Sequence, residues 1–588
     1  MVESVSVAQI MPGGEGSRFC VAALREMAGH QPPAPRQLRM ASRMLSCHDS
    51  FMSQIRQRLR ENPHVIWLAL LTVAFSVGWF LVDGDVKVNL ADEGYIWYGV
   101  RAMSHGQVPM RDFHAYDPGR YIWTYAWSLL LGDDLVSMRL ACVFFQCFGI
   151  MAGLLAARRL SRNPFFLSCI ALMLCAWMHP RYKVFEQSIA LMFVYAGVLL
   201  LEKPSYRRHF WVGALGGLMA FVGKNHGAYH VFAFSLIIAW AALGKGWIEW
   251  IRRNAVWVGG MLLGYIPQWL MLLFVPGYYG SFMATLGEIL SKGTNLKTHV
   301  PWPWLVPGAY TSWYRYSAVA EGCFYVAIPL LFLLATVCAW RLGRAGLLAN
   351  PVFVAAVSVT LPYMHYVFSR ADIVHLSHGA PTLVLMCVAL AFTLPQKGRS
   401  AGLVMATALV PACLLANLFQ FGITTELTAA PLSLVRVDVG GQKMIAPIYH
   451  AHVMKCAQTL ATELAKKDEP ILFLPHMPGL YPLTGRLSPT NQIYFIFPAE
   501  PDEDRALLAE IEAADVQWVM LHDYPLDGRD DLRFRNTNPI VFDFFRKNFE
   551  PVKIASMPPD MIALHRIQHA PLAETAVTVP SSVFPEAR

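Results

Sequence analysis

Long apolar runs broken by short connections fill the chain from about residue 65 to 418. They lie at about 65–82, 136–157, 164–178, 188–201, 210–222, 231–243, 255–275, 324–340, 352–367, 381–394 and 401–418. In lipid each run must close its own backbone hydrogen bonds, so each predicts a helix, and roughly 20 residues are needed to cross. Several runs are shorter and must recruit flanking residues. The pattern predicts a polytopic α-helical membrane protein with about 11 transmembrane helices.

Basic residues orient these helices. Arg158, Arg159 and Arg162 fill one connection; Lys203, Arg207 and Arg208 fill another; Lys245, Arg252 and Arg253 fill a third. Arg341 with Arg344, and Lys397 with Arg399, fill two more. These are alternate connections, as the positive-inside rule requires, and the Arg-bearing leader, 1–64, falls on their side as a poorly ordered cytoplasmic segment. An odd number of crossings then places everything after about 419 outside, with two long outer loops at 83–135 and 276–323. The second is rich in Trp, Tyr and Pro and suits a loop lying in the membrane interface.

The pattern changes beyond 419. His452–Lys466, Asp504–Ala513 and Ile540–Phe549 read as helices; Ile471–Leu474, Val516–Leu521 and Val552–Ala555 read as strands. This alternation predicts a small extracytoplasmic α/β domain over 419–568, followed by a disordered tail at 569–588.

Composition agrees with the membrane reading: 55% of the 588 residues are hydrophobic and 15% charged, against about 25% charged in soluble domains. The net charge of +8 sits in the short connections rather than in a patch suited to nucleic acid. The eleven cysteines show neither Cys-x-x-Cys nor Cys/His ligand spacing, so no disulfide framework or structural zinc is expected. No phosphate-binding P-loop, dinucleotide fingerprint or His-Glu-x-x-His appears.

The candidate chemistry begins in the first outer loop: Asp92-Glu93-Gly94-Tyr95, then Gly106 to Phe113 with Arg111 and Asp112, then Tyr116-Asp117-Pro118-Gly119-Arg120-Tyr121. Paired carboxylates at the lipid–water boundary could take a proton from a hydroxyl; equally, acidic residues commonly begin helices. The loop resembles that of the glycosyltransferase C superfamily, in particular the family 39-like branch of protein O-mannosyltransferases, the lipid A aminoarabinose transferase and bacterial relatives. There an Asp-Glu pair follows the first membrane helix, then a Gly-x-x-Pro-Tyr-Arg-Asp-Phe-like segment and a Pro-Pro-Gly-x-Tyr-like segment. Met110 stands here for the Tyr and Asp117 for the first Pro. The resemblance implies that Asp92 is the base toward the acceptor and that Glu93 assists or orients it.

Gly213 to Gly227, ending in Gly-Lys-Asn-His-Gly, resembles the family's small-residue helix followed by Leu-Thr-Lys and Gly. Lys224 lies between two apolar runs, where an ammonium either serves a site or snorkels to the interface; with His226 it could meet a phosphate. Arg370-Ala371-Asp372-Ile373-Val374-His375-Leu376 resembles an Arg-x-Asp-x-x-His-Leu of many relatives. Arg370 and His375 could bind phosphate, or Arg370 and Asp372 could form a structural pair. Arg181 and Glu186 read as a structural ion pair, and Leu483 to Thr490 as a segment that packs the soluble domain against the membrane part or shapes an acceptor cleft.

The resemblance implies transfer of a sugar from a polyprenyl phosphate to a glycan, lipid or protein acceptor, with inversion. Asp92 and Glu93 form the catalytic pair; Lys224, His226, Arg370 and His375 bind the donor phosphate; Arg111, Asp112, Asp117, Arg120 and Asp372 support the site. No cofactor or metal is obligatory, although Asp92 and Glu93 could hold a divalent cation. The implied setting is the bacterial inner membrane, with the C-terminal domain periplasmic. A flippase of lipid-linked sugars is the rival reading; such folds usually show repeats and broken helices.

Overall fold

The computed structural model describes residues 63–293, 295–306, 313–394, 398–420 and 434–567. The predicted tail and all but the last two residues of the predicted leader lie outside these. The chain divides into two compact units, 1–70 and 71–588; in the first, only the opening turns of one helix are described.

Every apolar run lies on helix. Five of the helices, Pro63–Asp83, Leu135–Ala157, Val184–Glu202, Pro351–Ser369 and Ile373–Phe392, have the length and composition to cross a bilayer, as does 318–349 within Trp313–Ala349. That makes six among the described residues, or seven if a bent pair is one span. The count of 11 is therefore not established by helix length. One short run stayed short: Pro164–Trp177 has 14 residues, roughly 21 Å against a hydrocarbon core of about 30 Å. The run at 255–275 is split into Trp247–Gly264 and Ile266–Phe274, bent by 51°. Pro267 has no N–H to return to the preceding turn, so the helix breaks there.

Leu330, Leu333 and Trp340 expose more than half their surface along one long helix, which is the face lipid must cover. Where helices meet each other, small residues let backbones touch. Gly213 and Gly217 on Tyr206–Val222 face Gly260 and Gly264 on Trp247–Gly264. A Cβ on any of the four would lie 2.0 Å from a carbonyl oxygen of the other helix.

The basic connections gather at one end. Arg159 pairs with Glu202 at 3.0 Å, Arg253 reaches the Pro204 carbonyl, and Arg344 reaches the Leu243 carbonyl. The segment 83–135 carries two helices, Asp92–Ser104 and Pro118–Leu131, and the segment 276–323, expected to lie in the interface, carries Tyr278–Lys292. Helix Val184–Glu202 runs from the first outer loop, through Glu186, to the basic end at Glu202.

The C-terminal region opens with a hairpin, β1 (Leu434–Val439) and β2 (Gln442–Pro447), which the sequence reading did not anticipate. Gly440 and Gly441, both at positive φ, make its turn. The main sheet contains β3 (Ile471–Leu474), β4 (Trp518–His522), β5 (Phe549–Val552) and β6 (Met561–Arg566), ordered β3-β4-β6-β5. Only β3 and β4 are parallel. Helices Pro501–Ala513 and Pro539–Asn548 cover it, burying Leu507, Ile511, Val541 and Phe545 against Leu472, Val519 and Leu564. The strand expected at Val552–Ala555 instead ends at Val552; it is an edge strand, which is why Pro551 is tolerated. The domain seats on the first outer loop: Gly479 N–H donates to the Leu90 carbonyl at 2.9 Å, and a Cβ on Gly94 would lie 2.4 Å from the Gly479 nitrogen.

Candidate functional site

Asn89 shapes the start of helix Asp92–Ser104, its Oδ1 accepting from the N–H groups of Ala91 and Asp92 at 2.9 and 3.0 Å. Adjacent residues on a helix point about 100° apart, and the two carboxylates part company. Glu93 is 3% exposed and gripped by Arg139 through two bonds of 2.7 Å. Arg139 also donates to the Gly84 carbonyl at 2.7 Å and to the Lys87 carbonyl. Burial pushes the Glu93 carboxyl up, but Arg139 outweighs it and holds it below the usual range. Glu93 thus staples the outer loop together and does not share the space in front of Asp92.

Asp92 sits in a cluster of phenols. Tyr494 O–H donates to its Oδ1 at 3.2 Å and Tyr182 O–H to its Oδ2 at 3.3 Å. Burial keeps the Tyr494 phenol protonated, well above its ordinary range. Lys183 joins the same cluster: Nζ donates to the Tyr116 hydroxyl oxygen at 3.0 Å and lies 4.7 Å from the Tyr116 ring and 5.7 Å from the Tyr182 ring. Among the described residues no carboxylate is within ion-pair distance of it. Arg120 lies 4.8 Å from the Tyr116 ring, held by Glu186 at 3.1 Å and by the Val222 carbonyl. The expected Arg181–Glu186 pair is not formed: Arg181 pairs with Asp83 at 2.6 Å, and Glu186 with Arg120.

Lys224 and His226 are otherwise engaged. Asp117 takes both the Lys224 ammonium at 2.8 Å and its backbone N–H at 2.9 Å, fixing the start of helix Lys224–Ala242. His226 is fully buried, its Nδ1 2.9 Å from the Tyr363 hydroxyl. Arg111 and Asp112 pair at 2.7 Å, and Arg111 lines a separate polar cavity of about 380 Å³ with His114, Glu288, Lys292 and Glu503.

Arg370 joins two carboxylates: Nε to Asp372 at 2.7 Å and Nη2 to Asp527 at 2.7 Å. Asp372 caps helix Ile373–Phe392, accepting from His375 N–H at 2.9 Å and facing its Nδ1 at 2.8 Å. Burial raises the Asp372 carboxyl, but His375 and Arg370 outweigh it and hold it below the usual range. A row of rings in the C-terminal domain runs from Tyr494, which bonds Asp92, to Tyr524, three residues before Asp527. Tyr494 lies 5.4 Å from His476, and His476 lies 5.6 Å from Tyr524. Asp92 and Asp527 both act on the His476 charge.

Lys183, Tyr182, Tyr494, Arg139 and Asp527 were missed as site residues. Lys183 had a signal, an ammonium at the mouth of an apolar run. Tyr494 and Asp527 had none, lying 402 and 157 positions from their partners.

No family model matches the chain, and no curated protein matches it. Among solved structures, ArnT from Cupriavidus metallidurans bound to undecaprenyl phosphate is similar at 13% identity and a TM-score of 0.46, over 86% of this chain and 98% of that one. Archaeal oligosaccharyltransferase AglB from Archaeoglobus fulgidus, in complex with an inhibitory peptide and a dolichol-phosphate, is similar at 9% identity and 0.45, over 87% and 75%. At these values the likeness decides neither family nor reaction.

Proposed function

We propose that the chain is a membrane glycosyltransferase that moves a sugar from a polyprenyl phosphate to an acceptor on the outer face of a bacterial inner membrane. The observation that carries this reading is the pair Asp92 and Lys183, a carboxylate and an ammonium set in one cluster of phenols without pairing. A base and a cation held apart are what a substrate with a transferable proton and a departing phosphate would bridge.

In the proposed step the acceptor hydroxyl gives its proton to Asp92 as its oxygen attacks the anomeric carbon. The bond from that carbon to the phosphate oxygen breaks, and polyprenyl phosphate leaves with the electron pair. Attack opposite the leaving group inverts the centre. Tyr494 and Tyr182 orient the Asp92 carboxylate through their hydroxyls. Lys183 takes the place that the resemblance gives Lys224, since Asp117 already neutralises Lys224. Arg370, bonded to Asp372 and Asp527, supplies a second phosphate contact only where one of these carboxylates gives way. An apolar groove of about 430 Å³ begins at Leu376, one residue beyond His375, and continues past Ala380, Leu383 and Leu394; it suits the lipid tail. Arg139 already bonds both Glu93 oxygens, so this reading assigns no divalent cation to Asp92 and Glu93.

The test is single-turnover release of polyprenyl phosphate by purified protein given a labelled polyprenyl-phosphate sugar and membrane-extract acceptors. Release that requires Asp92 supports the transferase. Donor moved across vesicles but chemically unchanged would establish the flippase instead.

A further inference from the structure

Arg370 is bonded to two carboxylates that are held very differently. Asp372 is fixed in place: it caps helix Ile373–Phe392 through His375 N–H and faces His375 Nδ1 at 2.8 Å. Asp527 comes from the other end of the fold, on the connection that follows β4, and its side chain meets Arg370 Nη2 at 2.7 Å. It sits at the middle of a single short turn, Leu526–Gly528, with its own φ at +56°, a left-handed region that aspartate enters more readily than most residues. Both side chains remain partly open, Arg370 at 22% and Asp527 at 24%.

Two carboxylates on one guanidinium leave a local charge of about −1, which repels a phosphate. Arg370 therefore cannot serve an anionic ligand while both stay. Of the two, Asp372 cannot leave without uncapping a helix. Asp527 can: among the described residues its side chain bonds only to Arg370, and its turn is closed by its own backbone bonds, Gly528 N–H to the Pro525 carbonyl and Arg529 N–H to the Leu526 carbonyl.

Resting on the transferase reading, we infer that Asp527 competes with the donor phosphate for Arg370, so that donor entry displaces the turn at Leu526–Gly528. Asp527 is then a specificity residue: it admits a phosphate able to outcompete a carboxylate for the guanidinium fork, and it turns away neutral polyprenols and weak anions. The same domain also supplies Tyr494 to Asp92, so displacement at Arg370 is transmitted toward the base along the row Tyr524, His476, Tyr494.

The experiment measures binding of a long-chain polyprenyl phosphate to the full-length protein in detergent, with the parent polyprenol as the neutral control. Asp527→Asn is expected to bind the phosphate about ten-fold more tightly than wild type, because a like charge is removed. Asp527→Glu should keep wild-type affinity and Arg370→Lys should lose it. Amide hydrogen exchange across residues 524–532 of the wild-type protein should rise when the phosphate is added and stay unchanged with polyprenol, a readout that needs no variant. Unchanged or weaker binding by Asp527→Asn, or unchanged exchange in wild type, overturns the proposal while leaving the transferase reading intact. Wild-type protein that binds phosphate and polyprenol alike would overturn the donor-site reading and this inference together.

Discussion

Replacing Lys183 by Met separates the cation the structure favours from the one the resemblance favours. Lys183 makes one hydrogen bond, to Tyr116 at 3.0 Å, and has no carboxylate partner among the described residues. Losing that bond costs about 1 kcal/mol, offset by removing a partly buried charge, so folding should change little. Catalysis should change much more. A unit charge about 4 Å from a departing phosphate oxygen contributes roughly 4 kcal/mol at an effective dielectric of about 20. Discounted for desolvation and for the share that Arg370 carries, about 3 kcal/mol remains, or about 10²-fold in rate. Lys224→Met should behave the opposite way. It breaks a 2.8 Å pair and leaves Asp117 bonded to only the backbone N–H of residue 224, so thermal stability should fall while turnover per folded molecule stays within a few-fold. The assay is single-turnover release of polyprenyl phosphate, read beside thermal unfolding of each variant in detergent. Near-normal release from Lys183→Met, or a loss of release that tracks a loss of folded protein, would refute the reasoning.

Asp92→Asn should lower release by about 10²–10⁴-fold in a protein that still folds and binds donor; near-normal release would remove Asp92 as the base. Glu93→Gln should instead destabilise, by about 3 kcal/mol, because Arg139 is left buried without its charge partner; an unfolding temperature equal to wild type would contradict the staple. Gly217→Val should prevent accumulation in the membrane, since its Cβ would lie 2.0 Å from the Met261 carbonyl oxygen, whereas Gly259→Ala, with nothing near its Cβ, should be tolerated. His476 is pushed down to about 4 by burial. A depressed histidine favours the fold above its unfolded value of about 6.5, and that contribution is lost as pH falls toward 4, up to about 3 kcal/mol. Unfolding temperature should drop across that window in wild type and flatten in His476→Asn; parallel curves would exclude His476 as the cause.

The helices were legible because of a local constraint. A chain in lipid has no water to satisfy its N–H and C=O groups, so an apolar run of sufficient length has little choice but helix. The basic connections were legible for a similar reason, since charge beside such runs is set by topology, and the contacts of Arg159 with Glu202, Arg253 with Pro204 and Arg344 with Leu243 gather them at one end. Strands β3 and β4 could be seen as short apolar runs. The hairpin β1–β2 and strand β6 could not, because their burial comes from partners elsewhere: the residue 85–87 segment docks on Ile445, and β4 and β5 flank β6.

The site divides along the same line. The resemblance of short motifs to the glycosyltransferase C superfamily marked Asp92, Arg370 and the loop around Arg120; residue types alone left a helix start and a structural ion pair open. Which of these groups is free and which is already spent was decided by residues far away in the chain. Arg139 claims Glu93 from 46 positions away, and Asp117 claims Lys224 from 107. Tyr494 reaches Asp92 across 402 positions, and Asp527 reaches Arg370 across 157. A charge's availability depends on its nearest opposite charge in space, and no periodicity along the chain carries that distance; only the packed tertiary structure leaves Lys183 without a carboxylate in ion-pair distance among the described residues while supplying one to Lys224.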